Sequence, residues 1–231
     1  MLSTIIYLLV FTLTAVQAAG PPAGTVITQC SQPGVIALTF DDGPYIYEDQ
    51  LVDELNAAGA KATFFVTGTL YGNIYNHTAS LQHAFSSGHQ IGSHTWTHTD
   101  LSTLTADQIR NNEMIPVEQA LETILGVKPT YMRPPYGSVG GQVVPTLRDM
   151  GYRIVNWDID SGDWAGLTPA QSEARITSAG TGGNGHIILM HEPLPTTVNE
   201  LAPWVMNYAK SNNLKMVTVA ECLGDPNGAY A

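Results

Sequence analysis

The feature that most constrains the fold is the alternation of apolar runs with amphipathic segments along the chain. The runs occupy residues 35–40, 62–66, 90–92, 152–157, 185–190 and 215–219. Most are apolar throughout and do not alternate with polar residues, as expected of strands that are buried on both faces. Helix-length segments separate them, which is typical of parallel strands joined by crossovers. The sequence therefore predicts an α/β fold.

Several of the intervening segments have helical periodicity. Apolar residues recur at helical spacing over residues 51–58 and stop at Gly59. Thr105 is a candidate N-cap for a long helix that ends at Gly126, and Pro116 is expected to kink it. Two further helices are predicted at residues 143–150 and 198–211.

An open doubly wound sheet and a closed barrel both fit this pattern. No GxGxxG motif follows the first long run, which weakens the dinucleotide-binding version of the open sheet. A barrel with fewer than eight complete units suits so short a chain. Of the 231 residues, 44% are hydrophobic, which is enough for one sizeable core, and we predict a single domain over residues 20–231.

The first 19 residues are predicted to be a secretory signal peptide. They contain an apolar stretch followed by Val16-Gln17-Ala18, a small-residue cleavage pattern. A membrane anchor is the alternative, but the run is shorter than the roughly 20 residues that span a bilayer. We therefore expect a secreted, extracellular protein that does not contact the membrane once the signal is removed.

Two further features of the sequence fit a secreted protein. Cys30 and Cys222 lie near the two ends of the predicted domain, where a disulfide would join its termini, although two unrelated buried thiols are the alternative. Asn76-His77-Thr78 is an acceptor sequence for N-glycosylation at Asn76.

The formal net charge is −11, from 20 acidic and 9 basic residues, with no cluster of Lys or Arg. Nucleic acid is therefore not expected as a partner. A neutral or cationic polymer is compatible with this charge. We expect the protein to be a monomer.

Two pairs of residues indicate metal-assisted hydrolysis. Asp41 and Asp42 come where the first long run meets a Gly-Pro turn, and His94 and His98 are spaced i,i+4. Neighbouring side chains of a strand point to opposite faces, so both aspartates can serve one site only where the strand ends. Two histidines on one face together with a carboxylate match a catalytic zinc site, which leaves one position open for water.

Other polar residues also follow predicted strands. Arg133, Asp160, Asp163 and His191 each come after an apolar run. The carboxyl ends of parallel strands meet on one side of the sheet, so these segments are expected to converge on a single site.

Five motifs in order resemble carbohydrate esterase family 4, the polysaccharide deacetylases with a NodB-homology domain, and among them secreted chitin deacetylases. The motifs are Thr39-Phe40-Asp41-Asp42-Gly43-Pro44, Ser93-His94-Thr95-Trp96-Thr97-His98, Arg133-Pro134-Pro135-Tyr136-Gly137, Asp160-Ser161-Gly162-Asp163-Trp164 and Ile188-Leu189-Met190-His191. The resemblance covers nearly all of residues 20–231. It implies a distorted (β/α) barrel with fewer than eight complete units and an open groove.

The resemblance also implies a role for each motif. One divalent metal, zinc or alternatively cobalt, would be bound by Asp42, His94 and His98. Asp41 would be the general base held by Arg133. His191 would be the general acid, oriented by Asp163 or, as the alternative, Asp160.

The remaining implied roles concern the substrate. The backbone N–H of Tyr136 would bind the oxyanion. Trp164 and Leu189 would wall the pocket for the acetyl methyl group, with ordinary core packing as the alternative for Leu189. Glu192 matches no role.

The resemblance predicts a metal-dependent N-deacetylase of β-1,4-linked N-acetylglucosamine polymers or oligomers, with chitin as the expected substrate. Peptidoglycan and acetylated xylan are alternative substrates, and a small-molecule amidase would keep the same mechanism. A catalytically silent carbohydrate-binding protein is the alternative from another class. The complete set of acidic and histidine residues favours an enzyme.

Overall fold

The computed structural model describes residues 20–231, and the predicted signal peptide at residues 1–19 lies outside them. The described part of the chain contains a nine-stranded sheet in which every strand pairing is parallel. The strands are β1 (Val26–Ile27), β2 (Val35–Asp41), β3 (Ala62–Val66), β4 (Gln90–Ser93), β5 (Tyr131–Met132), β6 (Arg153–Val155), β7 (Ile159–Asp160), β8 (His186–His191) and β9 (Lys215–Met216).

Eight strands follow the order β1-β6-β5-β4-β3-β2-β8-β7, and β9 pairs with the start of β2. Among residues 20–231 no pairing joins the two end strands β1 and β7, so the curled sheet stays open. The predicted barrel with fewer than eight complete units is therefore confirmed. The longest strand, β2, is central, and its last residue, Asp41, is in register with Phe65 of β3 and His191 of β8.

Helices cover the sheet. They are α1 (Glu48–Ala58), α2 (Thr78–Ser86), α3 (Ala106–Gln108), α4 (Ile115–Leu125), α5 (Val143–Asp149), α6 (Pro169–Ala179), α7 (Ala202–Ser211) and α8 (Val219–Cys222). The largest apolar cluster packs β2, β3 and β8 against α1, α2, α4 and α7. None of the helices in the described ranges is long and apolar enough to cross a membrane.

The long helix predicted after Thr105 is present in a modified form. Thr105 caps α3, and Gln108 completes a capping box. A π-helical segment, Ile109–Met114, then leads directly into α4, where Pro116 lies in the first turn. Because proline has no backbone N–H to donate, widening the preceding turn accommodates it. A π-helical segment before Pro116 therefore takes the place of the expected kink.

Several elements were missing from the sequence-based interpretation, among them β1, β7, α2 and α6. β1 and β7 have only two residues each, too few to form a recognisable run. α2 buries Ser80, Leu81 and Ala84, which is a weak apolar stripe. α6 buries only Ser172 and Ile176, although its Thr168 and Gln171 form a capping box. Tertiary packing stabilises these elements more than their local pattern does.

The two ends of the described chain are joined. A disulfide links Cys30 to Cys222, whose Cα atoms are 5.1 Å apart and whose sequence separation is 192. Beside it, the backbone N–H of Ser31 donates to the carbonyl of Cys222 at 3.0 Å. The predicted disulfide is present, and it links the loop after β1 to α8.

We expect removal of this disulfide to destabilise the protein without changing its fold. The Cys30→Ser/Cys222→Ser variant should lose about 2–5 kcal/mol of unfolding free energy, because a long loop is no longer closed in the unfolded chain. Denaturant unfolding of the variant and the oxidised parent measures the difference. A Ser31→Ala variant controls for local substitution, and equal stability of the double variant and the parent would contradict the prediction.

Candidate active site

The polar residues that follow the strands meet in one cavity of about 320 Å³. It is lined by Asp41, Asp42, His94, His98, Pro134, Tyr136, Trp157, Trp164, Leu189 and His191. These residues come from the ends of β2, β4, β5, β6, β7 and β8 or the loops after them. The carboxyl ends of parallel strands lie on one side of a sheet, which is why distant segments meet here.

Arg133 follows β5, and its guanidinium group is fully buried beneath the cavity. Its Nη1 donates to Asp41 Oδ1 and to Thr39 Oγ1, each at 2.7 Å. Its other nitrogens donate to the carbonyls of Val155 and Asn156. Burial lowers the pKa of Arg133, and the charge of Asp41 opposes this effect. One carboxylate oxygen of Asp41 is thereby fixed in position.

Asp42, His94 and His98 each offer a ligand atom within 4.8 Å of the others. Asp42 Oδ1 lies 3.4 Å from Nε2 of each histidine. The i,i+4 spacing does not correspond to a helix here, because residues 94–98 form a loop. Thr95 and His98 have positive φ angles of 73° and 60°, and the N–H of His98 donates to Thr95 Oγ1. This tight loop brings both rings to one carboxylate.

The protons of the cluster indicate how it can bind a cation. Nδ1 of His94 lies 2.7 Å from the carbonyl of Arg133. Because a carbonyl only accepts, Nδ1 carries a hydrogen and Nε2 faces Asp42. Burial by itself would raise the pKa of Asp42 and lower that of His94. The hydrogen bond and charge of His94 lower the pKa of Asp42 instead, and the charges of Asp41 and Asp42 raise the pKa of His94. Burial lowers the pKa of His98. One oxygen and two imidazole nitrogens suit a divalent transition metal, whose binding would displace protons.

His191, the last residue of β8, lies against Asp163. Its Nδ1 is 2.8 Å from Asp163 Oδ1, and its backbone N–H donates to Asp163 Oδ2. Burial alone would lower the pKa of His191, but the hydrogen bond and charge of Asp163 outweigh it and raise the pKa to about 9. The alternative partner, Asp160, accepts instead from Gly162 N and Trp164 Nε1. Asp163 is therefore the residue in contact with the histidine.

Tyr136 and Trp164 are highly exposed, 68% and 61%, at the mouth of the cavity, while Leu189 is buried in its wall. The ring of Tyr136 lies 4.9 Å from that of His98, and its φ is 60°. Asn76 lies elsewhere, exposed in a turn formed by Ile74–His77. Its position is compatible with glycosylation, which stays a prediction.

Glu113 is a site residue that the sequence analysis missed. It lies in the π-helical segment and is buried. Its Oε2 accepts the backbone N–H groups of Trp96 and Thr97 at 3.1 and 2.9 Å, and its Oε1 accepts Thr97 Oγ1 at 2.6 Å. This carboxylate fixes the loop between the two histidines. It lies 15 positions after His98 in no recognisable motif, so the sequence offered no signal for it.

Glu192, to which no role was assigned, lies buried beneath the turn that follows Asp42. A Cβ atom on Gly43 would approach its Oε2 to 2.8 Å, so the carboxyl group lies close against this turn. Burial raises the pKa of Glu192 to about 8. Burial and the charge of Glu192 together raise the pKa of the neighbouring Glu48 well above its ordinary value. Two neighbouring buried carboxyl groups near the Asp42 turn thus have raised pKa values.

The family of the chain is decided by comparison with known proteins. Residues 28–155 match the sequence profile described as Polysaccharide deacetylase. The chain belongs to the polysaccharide deacetylase family. A relative from Pestalotiopsis named "Chitin deacetylase" is 43% identical over 90% of this chain and 70% of its own length.

Two further family members differ in the substrate that their names state. The solved structure of the chitin deacetylase from Colletotrichum lindemuthianum has a TM-score of 0.85 and 36% identity, covering 91% of this chain and 97% of its own. An Arthroderma benhamiae relative named "Probable peptidoglycan-N-acetylglucosamine deacetylase" is 41% identical over 90% of this chain. This chain spans only 48% of the latter's length.

We expect Glu113→Ala to weaken binding of Zn²⁺ at the Asp42, His94 and His98 cluster by about 10–100-fold, as is usual when residues that orient metal ligands are removed. The loop would lose the three hydrogen bonds that it donates to Glu113. Competition with a chromophoric chelator measures the affinity, and circular dichroism checks the fold. Glu122→Ala, at an exposed position of α4, is the matched control. Parental Zn²⁺ affinity in a folded Glu113→Ala protein would contradict the prediction.

Proposed function

We propose that this protein removes N-acetyl groups from β-1,4-linked N-acetylglucosamine polymers or oligomers, with chitin as the substrate. The observation that carries the proposal is the convergence of Asp41, Asp42, His94, His98 and His191 on one cavity. An amide hydrolase needs an activated water, a proton acceptor and a proton donor for the departing amine. This cavity contains residues suited to each task.

Asp42, His94 and His98 would hold a divalent metal, for which we propose zinc, with cobalt as the alternative. Two imidazoles and one carboxylate are the ligands of a catalytic site that keeps one position open. When bound, such a metal acidifies water and polarises a carbonyl oxygen. Held by Arg133 at its other oxygen, Asp41 keeps a carboxylate oxygen available to take the proton of the attacking water.

His191 would donate a proton to the nitrogen that leaves. Amines are poor leaving groups unless they are protonated, and the raised pKa of His191 keeps its imidazole charged at neutral pH. Asp163 fixes the ring through Nδ1, so that Nε2 is the atom that can reach the substrate. The products are acetate and a free amine on the sugar.

Residues at the mouth of the cavity would bind the acetyl group. The backbone N–H of Tyr136 is proposed to donate to the oxyanion. Leu189 lines the wall, and Trp164 is held at the rim by the bond from its backbone N–H to Asp163 Oδ1 at 2.8 Å. These two side chains would contact the acetyl methyl group.

The relatives support chitin as the substrate. Two relatives with about 40% identity to this chain carry the name "Chitin deacetylase" and are covered over 70% and 85% of their length. The disulfide and the fungal relatives support secretion after removal of residues 1–19. We propose that the mature protein acts as an extracellular monomer.

We expect acetate release from N-acetylglucosamine oligomers and none from acetylated xylan. Chelation should abolish it and Zn²⁺ should restore it, whereas Asp41→Asn should lower kcat by at least about 100-fold, the usual contribution of a general base. Mass spectrometry of the products from defined oligomers provides the measurement, with peptidoglycan fragments in parallel. Binding of oligomers without turnover by the Zn²⁺-loaded parent would instead support a silent carbohydrate-binding protein.

The pH dependence of the reaction should depend on Asp163. In the parent, His191 stays protonated up to a pKa of about 9, and activity is lost as the pH rises through that value. Asp163→Asn removes the charge that favours the imidazolium, so the alkaline limb of kcat/KM should move toward the ordinary histidine pKa of about 6.5. Asp160→Asn is the matched control and should leave this limb in place. An unchanged alkaline limb in Asp163→Asn would contradict the assignment of His191.

A further inference from the structure

Asn156, the residue after β6, links two parts of the candidate active site, and the roles proposed above leave its side chain unused. Its backbone carbonyl accepts Arg133 Nη2 at 3.1 Å. Its side-chain Nδ2 donates to the carbonyl of Gly137, also at 3.1 Å. One residue therefore contacts both the arginine that holds Asp41 and the turn that carries Tyr136.

That turn consists of residues 134–137, and we call it the oxyanion turn because the N–H of Tyr136 is proposed above to bind the oxyanion. Tyr136 and Gly137 have positive φ angles of 60° and 65°. A positive φ is costly for a residue larger than glycine, and it persists only where the surrounding structure enforces it. The conformation of Tyr136 must therefore be maintained by contacts around the turn.

The backbone hydrogen bonds of the oxyanion turn leave one donor free. The N–H of Gly137 donates to the carbonyl of Pro134 at 3.0 Å, and the N–H of Ser138 donates to the carbonyl of Pro135 at 3.1 Å. The N–H of Tyr136 donates to no protein acceptor within residues 20–231. A fixed backbone with one N–H left free is what stabilisation of an oxyanion requires.

Asn156 and its neighbour Trp157 pack directly against the oxyanion turn. A Cβ atom on Gly137 would lie 3.0 Å from the Trp157 ring and 3.5 Å from the amide of Asn156. Because a carbonyl only accepts, the amide nitrogen of Asn156 is the atom that faces Gly137. The amide oxygen is buried and meets no donor in the described part of the chain. An unpaired buried oxygen reduces stability, so the bond to the turn is the contact that this side chain supplies.

We propose that Asn156 is a positioning residue for the reaction: by holding the carbonyl of Gly137, its side-chain amide keeps the N–H of Tyr136 aimed at the developing oxyanion. This inference rests on the proposed function. Asn156 is not among the residues that line the cavity, so it acts through the turn. A misdirected donor would stabilise the transition state less and leave binding of the sugar unchanged, so kcat should fall while KM does not change.

The test measures kcat and KM for acetate release from the N-acetylglucosamine tetramer by the Zn²⁺-loaded protein. We expect Asn156→Ala to lower kcat on the order of tenfold, less than the roughly 100–1,000-fold loss when an oxyanion donor is removed, because the N–H of Tyr136 remains. KM and the affinity for Zn²⁺ should stay at their parental values. Asn156→Leu has a similar shape without the donor and should show the same loss of kcat.

Asn212→Ala is the matched control. Asn212 Nδ2 donates in the same way to a backbone carbonyl, that of Tyr208, at 2.8 Å at the end of α7. This control removes the same kind of hydrogen bond outside the oxyanion turn, so it should keep the parental kcat.

The outcomes separate this proposal from the proposed function. Parental kcat in both Asn156 variants, or a rise in KM without a fall in kcat, would refute the positioning role while the deacetylase activity stands. If circular dichroism shows that neither variant folds, Asn156 serves the stability of the fold and the positioning role is refuted.

If the parent releases no acetate from any oligomer, the proposed function fails, and amide hydrogen exchange decides the role of Asn156. The proposal predicts faster exchange of the N–H groups of Gly137 and Ser138 in Asn156→Ala than in Asn212→Ala, because the turn loses the bond that holds it. Equal exchange in these two variants would show that Asn156 does not hold the turn.

Discussion

The buried ion pair between Arg133 and Asp41 is the interaction on which the candidate site depends. A fully buried guanidinium group is costly unless its charge and its donors are matched. Arg133 meets this need with a carboxylate and a hydroxyl from β2 and two carbonyls at the end of β6. The guanidinium carbon of Arg133 also packs over the ring of Phe65, 4.5 Å from the ring centroid. The proposed base is therefore fixed by the same contacts that join three strands.

Residues with more than one structural role also surround the cluster of Asp42, His94 and His98. The carbonyl that orients His94 belongs to Arg133 itself, so the residue that fixes the proposed base also fixes a ring of the proposed metal site. Glu113 fixes the backbone between the two histidines, and Glu192 fills the space beneath the turn that carries Asp42. The groups proposed to react are thus held by buried contacts from several elements, as a preorganised site requires.

Much of this arrangement could be predicted from the sequence. The parts that could not be predicted have one physical cause in common. Apolar runs such as β2 and β8 and the polar residues at their ends predicted the sheet and the edge that holds the site. Glu113 could not be found, because its function arises from a tertiary contact with a loop that is distant in the chain. The i,i+4 spacing of His94 and His98 did not predict the local conformation. Such a spacing is also found on one face of a helix, whereas here positive φ angles at Thr95 and His98 form a loop.

That loop has a consequence for how related chains can diverge. On a helix, inserting one residue between two ligands would rotate the second by about 100°, and the damage would stay local. Here the shape of the loop depends on two residues outside it: Gly68, against which the indole of Trp96 packs, and Glu113, which accepts backbone N–H groups of the loop. A longer or shorter loop would disturb both contacts at once. In related chains, the amino acids at these positions should therefore change together or stay unchanged together.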